Sequence, residues 1–577
     1  MKRDGGSGRL FDVVWFLAWG VVSSAWCVTA AAQLSATFDE PFYIARGLEF
    51  WRTGSHAGLL AKGTMPLPVD LTTLSLYLWE RWQGIQFDPG SDLDRLLPWA
   101  RATTLLFWWL LLAYGWVAAR CLAGPWAGRL AVVWLASEPN LLAHASLATT
   151  DIPVTACLLA LVYHFRTGRE GRWPHRVALP AFWFAASVLS KASGLVLGPL
   201  CLLAVELERI ARASPFNAAT DTASRWRTWF RAWLDRLRPF RRDAMQVIAC
   251  GLALVFVYCG SDWKQEPSFV AWAHGLPDGR VGRSMIWLAE NLRIFTNAGQ
   301  ALVKQIQHNV RGHGVFLLGE VGRRAFWYYF PVALTIKLSL PLLIAPLLLA
   351  AIRPRALLNW ATSAAAALLV FSLTSRVQTG IRFVLPLVVF AVVGLAAAVV
   401  HAIREYAPGW RRQILATGAS AGVLWTAVAA VAVWPHGLSY TNELWGGTKQ
   451  GYRLLSDSNY DWGQGLKELA RWKEEQGLPA LDVWYWGTDP ALKVPPLREL
   501  PLHLLPLKRP EDVMAVLRGR HVAASTTLLY GMASLESHRI ASAFFRTRRP
   551  VARTTTFFIY DFTQEPEPEP IKPSHSD

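Results

Sequence analysis

Charged residues are scarce in this sequence. Asp, Glu, Lys and Arg make up only 17% of its 577 residues, against 53% hydrophobic residues and a mean hydropathy of +0.24. At roughly 150 residues per soluble domain the length would suggest about four domains, and four such domains need far more polar surface than this. A soluble enzyme is excluded. Cysteine is equally sparse: Cys27, Cys121, Cys157, Cys201, Cys250 and Cys259 all lie within apolar stretches or at their edges. They read as small core hydrophobes, which excludes a disulfide framework and a cysteine metal site. Histidines such as His56, His144, His274, His308 and His313 are scattered without a ligand spacing, and no segment repeats at a fixed period. The net charge of +17 comes mostly from Arg in short loops between apolar runs. That placement reads as membrane topology and not as a nucleic-acid surface.

What the chain does have is long apolar runs, rich in Trp and Phe. A spanning helix needs about 20 predominantly apolar residues, because no water in the bilayer core can satisfy its backbone. About eleven runs qualify, near 11–33, 98–119, 126–144, 152–166, 177–191, 193–208, 244–261, 330–352, 357–373, 382–402 and 414–434. Arg concentrates in alternate gaps, at Arg3 and Arg9, Arg120 and Arg129, Arg166 to Arg176, the stretch to Arg242, Arg353 and Arg355, and Arg404 to Arg412. Cytoplasmic loops accumulate such residues, so the amino end is expected inside and, with an odd number of spans, the carboxyl end outside. The first run is too long, and the residues after it too bulky, for a cleaved signal peptide.

The fold expected is therefore an all-α polytopic membrane protein with a small C-terminal extracytoplasmic α/β domain. A membrane part covers 1–435, with long outside loops at 34–97 and 262–329. Cytoplasmic Trp226, Trp229, Phe230, Trp233, Leu234 and Leu237 fall at helical spacing among Arg residues, as in an amphipathic helix lying on anionic lipid. From 436 to 562, helix-like GQGLKELARWKEEQG and PEDVMAVLRG alternate with strand-like LDVWYW, HVAAST and TTTFFIYDF. The Pro- and Glu-rich tail, 563–577, is expected to be disordered.

Candidate chemistry clusters at the outside face. After the first run comes TFDEPFYIARG, placing Asp39 and Glu40 just beyond the membrane, followed by Tyr43 and Arg46. Asp151 stands in TTDIP at the start of another run. Each of these carboxylates could be a helix cap and nothing more. Lys191 is the one charge in the short turn SKASG and could simply snorkel to the interface. Tyr328 and Tyr329 in GEVGRRAFWYYFPVALTIK fit an aromatic belt, whereas Lys337 lies inside an apolar run, where a cation needs a partner or a function. Arg376 and Arg382 flank the turn in SRVQTGIRFVLPL and suit bidentate contact with a phosphate.

The DE pair, the TTDIP turn, the GEVGRRAFWYYFPVALTIK segment and TGIRFVLPL together resemble the GT-C superfamily of integral-membrane glycosyltransferases. Within it the chain looks like bacterial relatives of the dolichyl-phosphate-mannose protein mannosyltransferases (glycosyltransferase family 39-like), including the segment LSYTNELWGGTKQGYRLLSDSNYDWGQGLKEL after the last span. The resemblance implies a bacterial inner-membrane enzyme that takes a sugar from a polyprenyl-phosphate donor and transfers it, with inversion, to an acceptor hydroxyl outside the cytoplasm. The acceptor, whether glycan, lipid or protein, is left open. Asp39 matches the general base, with Glu40 beside it. One departure is TMPLPVDL around Pro66 and Pro68, where many relatives carry a His-Pro-Pro-Leu-like segment.

The expected site is thus Asp39, Glu40 and Asp151 as catalytic carboxylates, Lys191, Lys337, Arg376 and Arg382 for donor phosphate, and Arg46, Tyr328 and Tyr329 for substrate. A lipid phosphate is already a good leaving group, so one base and nearby cations suffice, and no cofactor or metal is obligatory. A divalent ion shared by Asp39, Glu40 and Asp151 is the less favoured arrangement. The rival function is a transporter or lipid flippase, which broken helices and paired repeat halves would favour.

Overall fold

The structure is a computed structural model, described over residues 6–213, 223–293, 296–493, 496–531 and 535–563, without the side chains of 6–7, 213, 223–234 and 296. The expected tail from 564 onward and the aromatic face at Trp226 to Leu234 lie outside the described residues and side chains. The backbone there is helical from Ala223 and continues unbroken into the apolar helix ending at Cys259.

All eleven apolar runs contain helix. Among the described residues, five helices are long and apolar enough to cross a membrane, or six if the bent pair described below counts as one span: Gly8–Gln33, Leu93–Ala123, Asp235–Cys259, Ile381–Glu405 and Trp410–Val433. The central one is Ile381–Glu405, with 89% of its apolar window buried against 22% for the first helix. It packs against Leu93–Ala123, Pro125–Ser137, Asp151–Gly168 and Trp360–Ser372. Gly394 makes that closeness possible, because a Cβ there would meet Thr362 Cγ2 at 2.5 Å.

Two runs expected as single spans are broken. The run 126–144 divides into Pro125–Ser137 and Pro139–Ala145 because Glu138, preceding a proline, is extended at φ −74 and ψ 119. The run 330–352 divides into Tyr329–Lys337 and Leu340–Ile352, bent by 112°. Backbone groups freed by a break need partners wherever water is scarce. Here Asn442 Nδ2 donates to the carbonyls of Thr335 at 2.6 Å and Leu338 at 2.8 Å, and Asn140 Nδ2 donates to that of Lys337 at 2.6 Å.

Outside the apolar helices, the first loop forms helices Glu40–Thr53 and Leu67–Gln83. The loop at 262–329 forms helices Pro267–His274, Arg280–Asn291 and Thr296–Arg311 and a two-stranded hairpin, Val315–Leu317 with Glu320–Gly322. After the last apolar helix, a five-stranded sheet runs in the order Leu497–Glu499, Leu481–Trp484, His521–Ser525, Phe557–Asp561 and Ala552–Arg553. Leu481–Trp484 is parallel to both neighbours, and Phe557–Asp561 is antiparallel to both of its own. Alternation sets the two faces. Leu481, Val483, Ala523 and Ile559 pack with Leu466 and Leu469 of helix Leu466–Glu475, while Trp484, Val522, Ala524 and Tyr560 pack with Val513 and Phe545 from two other helices. The two short edge strands carry no signal in the sequence strong enough to anticipate them.

One ion pair fastens the face that carries the first loop. Glu40 and Arg101 are almost entirely buried, at 0% and 2% exposure. Arg101 reaches both Glu40 oxygens at 2.8 and 2.7 Å and the carbonyls of Ala31, Leu34 and Ser35 at 2.7–2.9 Å. The same carboxylate accepts from the N–H groups of Thr37 and Ala148, both at 2.8 Å, and from Thr37 Oγ1 at 2.9 Å. Burial alone would raise the Glu40 pKa, but the Arg101 charge and these hydrogen bonds outweigh it and hold the group below its ordinary value. Removing one partner leaves an unpaired buried charge, at a cost of about 3–5 kcal/mol. Glu40→Gln and Arg101→Leu are therefore expected to lower the unfolding temperature of the detergent-solubilised protein and its yield in the membrane. Wild-type thermal stability in both would show that the pair does not fasten this face.

Candidate active site

Asp39 is placed by chain segments more than 400 positions away. Phe38 N–H donates to the Trp462 carbonyl at 2.9 Å, and Thr488 Oγ1 donates to the Phe38 carbonyl at 2.6 Å. Ala36 N–H donates to Asp489 Oδ2 at 2.9 Å, and Ser35 N–H to the Gln464 carbonyl at 3.0 Å. With its approach fixed, the chain turns at Asp39 into helix Glu40–Thr53, with Pro41 in the first turn. The Asp39 side chain makes no capping bond. It accepts instead from Arg382 Nη1 at 2.9 Å.

Arg382 sits in a tight turn, Ile381–Val384, entering the central helix. A Cβ on Gly380 would lie 2.1 Å from Ser458 Oγ, so glycine lets this turn press against the segment after the last apolar helix. The guanidinium lies over the Trp462 ring at 4.2 Å and near the Phe383 ring at 5.1 Å. On the other side of Phe383, Lys191 Nζ stands 4.3 Å from the same ring and donates to Asp151 Oδ1 at 2.6 Å. Asp151 opens helix Asp151–Gly168 but caps nothing, Thr150 being the N-cap. Asp39, Asp151, Asp457 and Tyr43 all act electrostatically on Arg382. Arg382 Nε and Asp151 Oδ2 are buried without a hydrogen-bond partner among the described residues, which leaves one donor and one acceptor for a ligand or ordered water.

A groove of about 290 Å³ leads to this cluster. Its lining is chiefly apolar, including Leu195, Leu302, Phe330, Leu368, Phe371 and Leu387, and it also takes in Lys191, Asn309, Ser375 and Phe383. A chiefly apolar groove with a cation in its lining suits a long hydrocarbon chain with an anionic head.

Four residues expected in the site are thus brought together: Asp39, Asp151, Lys191 and Arg382. The others are placed elsewhere. Glu40 faces Arg101, as described above, so Asp39, Glu40 and Asp151 do not form one carboxylate cluster for a shared divalent ion. Lys337 is 1% exposed and donates to the carbonyls of Leu438 and Asn459, both at 2.7 Å. It supports the backbone beneath the site and has no free face for a phosphate. Arg376 is exposed and hydrogen-bonds the Val310 carbonyl at 3.3 Å, outside the groove lining. Arg46 pairs with its helix neighbour Glu49 at 2.5 Å. Tyr329 is buried and its hydroxyl accepts from Asn459 Nδ2 at 2.8 Å, while Tyr328 stacks on Phe326. These four are held by local packing.

Sequence reasoning missed Trp462, Phe383 and Asp457. All three belong to segments singled out for their resemblance, but an aromatic residue in a Trp-rich chain carries no mark of a cation platform. Asp457 has a left-handed backbone, φ +55, invisible without the fold.

No protein-family model matches the chain, and no curated protein does. Among solved structures, the chain is similar to ArnT from Cupriavidus metallidurans bound to undecaprenyl phosphate, at 15% identity and a TM-score of 0.44, covering 95% of this chain and 97% of that one. The same protein in the apo state gives 15% and 0.43 over the same shares. The archaeal oligosaccharyltransferase AglB from Archaeoglobus fulgidus, in complex with an inhibitory peptide and a dolichol-phosphate, gives 12% and 0.37 over 73% of this chain and 56% of that one.

Burial raises the Asp457 pKa more than Arg382, the Ser458 N–H and His313 lower it, leaving it at about 6. A carboxylate raised in the folded state favours folding when protonated. That contribution is full below its unfolded value near 3.9 and is lost as pH climbs through about 6. Asp457→Asn should therefore match wild-type stability near pH 4 and exceed it above pH 7, by roughly 1–3 kcal/mol. Melting curves followed by tryptophan fluorescence at the two pH values check this, and equal pH dependence in both proteins would refute the raised value.

Proposed function

We propose that this chain is a polyprenyl-phosphate-sugar-dependent glycosyltransferase of the GT-C kind, acting at the extracytoplasmic face. The observation that carries the reading is the chiefly apolar groove lined in part by Lys191, which shares the Phe383 ring with the Arg382 of the Asp39–Arg382 pair. The groove suits the prenyl chain and the two cations suit the phosphodiester. Asp39 is half-buried at the edge of that charge cluster, and in this proposal a sugar attached to the phosphate lies beside it.

The chemistry follows from those positions. The acceptor oxygen attacks the anomeric carbon, its proton passes to the Asp39 carboxylate, and the bond from the anomeric carbon to the phosphate oxygen breaks. The electron pair leaves with the lipid phosphate, where Arg382 and Lys191 stabilise the added charge. Attack from the face opposite the phosphate inverts the anomeric centre. No general acid is needed, because a phosphate leaves without protonation. No metal takes part in this proposal, and the donor sugar, including mannose, and the acceptor remain to be assigned by assay.

Asp39→Asn keeps the size of the side chain, and its amide oxygen can still accept from Arg382 Nη1, so the fold should change little. Loss of the base should slow transfer by roughly 10² to 10⁴-fold. The check is transfer of label from a panel of radiolabelled polyprenyl-phosphate sugars to membrane extract, with donor binding measured separately and expected to survive. Transfer by Asp39→Asn within a few fold of wild type would eliminate Asp39 as base. Absence of any sugar-acceptor product from wild type would return the chain to the transporter or flippase reading.

The proposal also fixes orientation: residues near 470 outside and the amino end and residues near 240 inside. Single-cysteine variants at 240 and 470 in a cysteine-free background, probed on intact cells with a membrane-impermeant thiol reagent, should label only at 470. Labelling only at 240 reverses the topology.

A further inference from the structure

Asp457 is the one acidic group of this cluster without a cation of its own. Asp39 is paired with Arg382 and Asp151 with Lys191. Asp457 Oδ1 accepts only the neighbouring Ser458 N–H, at 2.6 Å, and its other oxygen accepts no hydrogen bond among the described residues. Yet its position is tightly fixed. Its own N–H donates to Thr527 Oγ1 at 3.0 Å, Ser458 Oγ donates to the Thr379 carbonyl at 2.7 Å, and Asn459 Oδ1 accepts the Ile381 N–H at 2.9 Å. These bonds fasten the Asp457 segment directly against the turn that carries Arg382. The backbone at φ +55 is a conformation that costs most non-glycine residues on the order of 1 kcal/mol or more, though Asp and Asn tolerate it best.

The hydrogen bonds between the 457–459 segment and the 379–381 turn set Asp457 beside Arg382, and the neighbouring charges agree with that position. Arg382 and His313 attract its carboxylate, and Asp39 repels it. A carboxylate does not bind phosphate, and the acceptor hydroxyl belongs at Asp39. What lies between the phosphate held by Arg382 and the base at Asp39, if the function proposed above is right, is the transferred sugar. The nearby Asp151 is 1% exposed with Oδ2 unpartnered, a separate sign that the cluster awaits a ligand rich in hydrogen-bond donors.

We infer that Asp457, carried by the segment that follows the last apolar helix, is a specificity-determining residue that accepts hydrogen bonds from hydroxyl or amine groups of the transferred sugar. A charge-assisted bond of this kind separates a donor bearing the group from one lacking it by about ten- to a hundredfold. The inference rests on the glycosyltransferase reading, and the wild-type protein tests that reading in the same assay.

Two substitutions remove the carboxylate without disturbing the fold. Asn retains the left-handed backbone and can still accept the Ser458 N–H, and glycine adopts φ +55 without strain. Transfer would be measured for wild type, Asp457→Asn and Asp457→Gly with undecaprenyl-phosphate hexoses and their monodeoxy counterparts at each ring position, reading KM and kcat for each donor. Wild type is expected to disfavour at least one deoxy donor by tenfold or more. Both variants should lose that discrimination, with the KM for the full donor raised about tenfold and unfolding temperatures at or above wild type. Unchanged donor discrimination in both variants overturns the inference. So does a change confined to the acceptor KM, which would place Asp457 against the acceptor. Failure of wild type to transfer any of these sugars removes the underlying reading and this role with it.

Discussion

The face of this protein that carries the loop after the first apolar helix depends on a buried Glu40–Arg101 pair. An ion pair out of water is costly to desolvate, and it persists only where every remaining lone pair and proton is satisfied. Here three backbone carbonyls, two N–H groups and a threonine hydroxyl complete that set. The carbonyls end the first apolar helix, one N–H belongs to the loop before helix Glu40–Thr53, and the other to the turn before Asp151. Arg101 itself comes from helix Leu93–Ala123. A single side-chain pair thereby fixes the relative positions of Asp39 and Asp151, which the candidate site needs at a common point. Adjacent carboxylates in the sequence have opposite destinies: Glu40 turns inward to hold the scaffold, and Asp39 turns outward into the charge cluster.

That cluster is balanced so that an anion changes it. Arg382 and Lys191 each hold one carboxylate, and both lie against Phe383. On the proposed reading, a phosphodiester arriving at the end of the groove competes with Asp39 for Arg382. The carboxylate is held by Arg382 while the site is without donor and is released toward the acceptor hydroxyl when the phosphate draws the guanidinium away. The cation and the base are thus coupled through one hydrogen bond, and the groove's apolar walls strengthen every charge contact by excluding water.

Much of this was legible in the sequence, and the boundary is physical. Helix content in the apolar runs, the alternating strands and helices after 436, and the gathering of Asp39, Asp151, Lys191 and Arg382 all follow from local hydropathy and from charges at the ends of apolar runs. What failed was any inference that required knowing a side chain's direction. In the sequence Lys337 reads as a buried cation in need of a partner or a function and is assigned to the donor phosphate, whereas its partners are the backbone carbonyls of Leu438 and Asn459. Tyr329 looks the same on paper whether it faces a substrate or, as here, an asparagine that braces a turn. The bend after Lys337 was hidden because Leu338 and Ser339 do not interrupt hydropathy, while the groups that make the bend tolerable, Asn442 and Asn140, lie far away in sequence.

The same distance argument explains why the segment after the last apolar helix cannot be treated as an appendage. Trp462, Gln464, Thr488 and Asp489 supply the hydrogen bonds that hold residues 35–38, and Trp462 also presents its ring to Arg382. Ser458 and Asn459 grip the turn on either side of Gly380, and the Asn459 carbonyl receives the Lys337 ammonium. Polar groups of this density at an interface contribute little net stability, because each replaces a bond to water. Their effect is geometric: they remove alternative positions for Asp39 and Arg382. A base and a cation that act on the same substrate need placement within about half an ångström. Two apolar helices slipping past each other in lipid offer no such precision, whereas a lattice of backbone hydrogen bonds anchored in a β-sheet domain does.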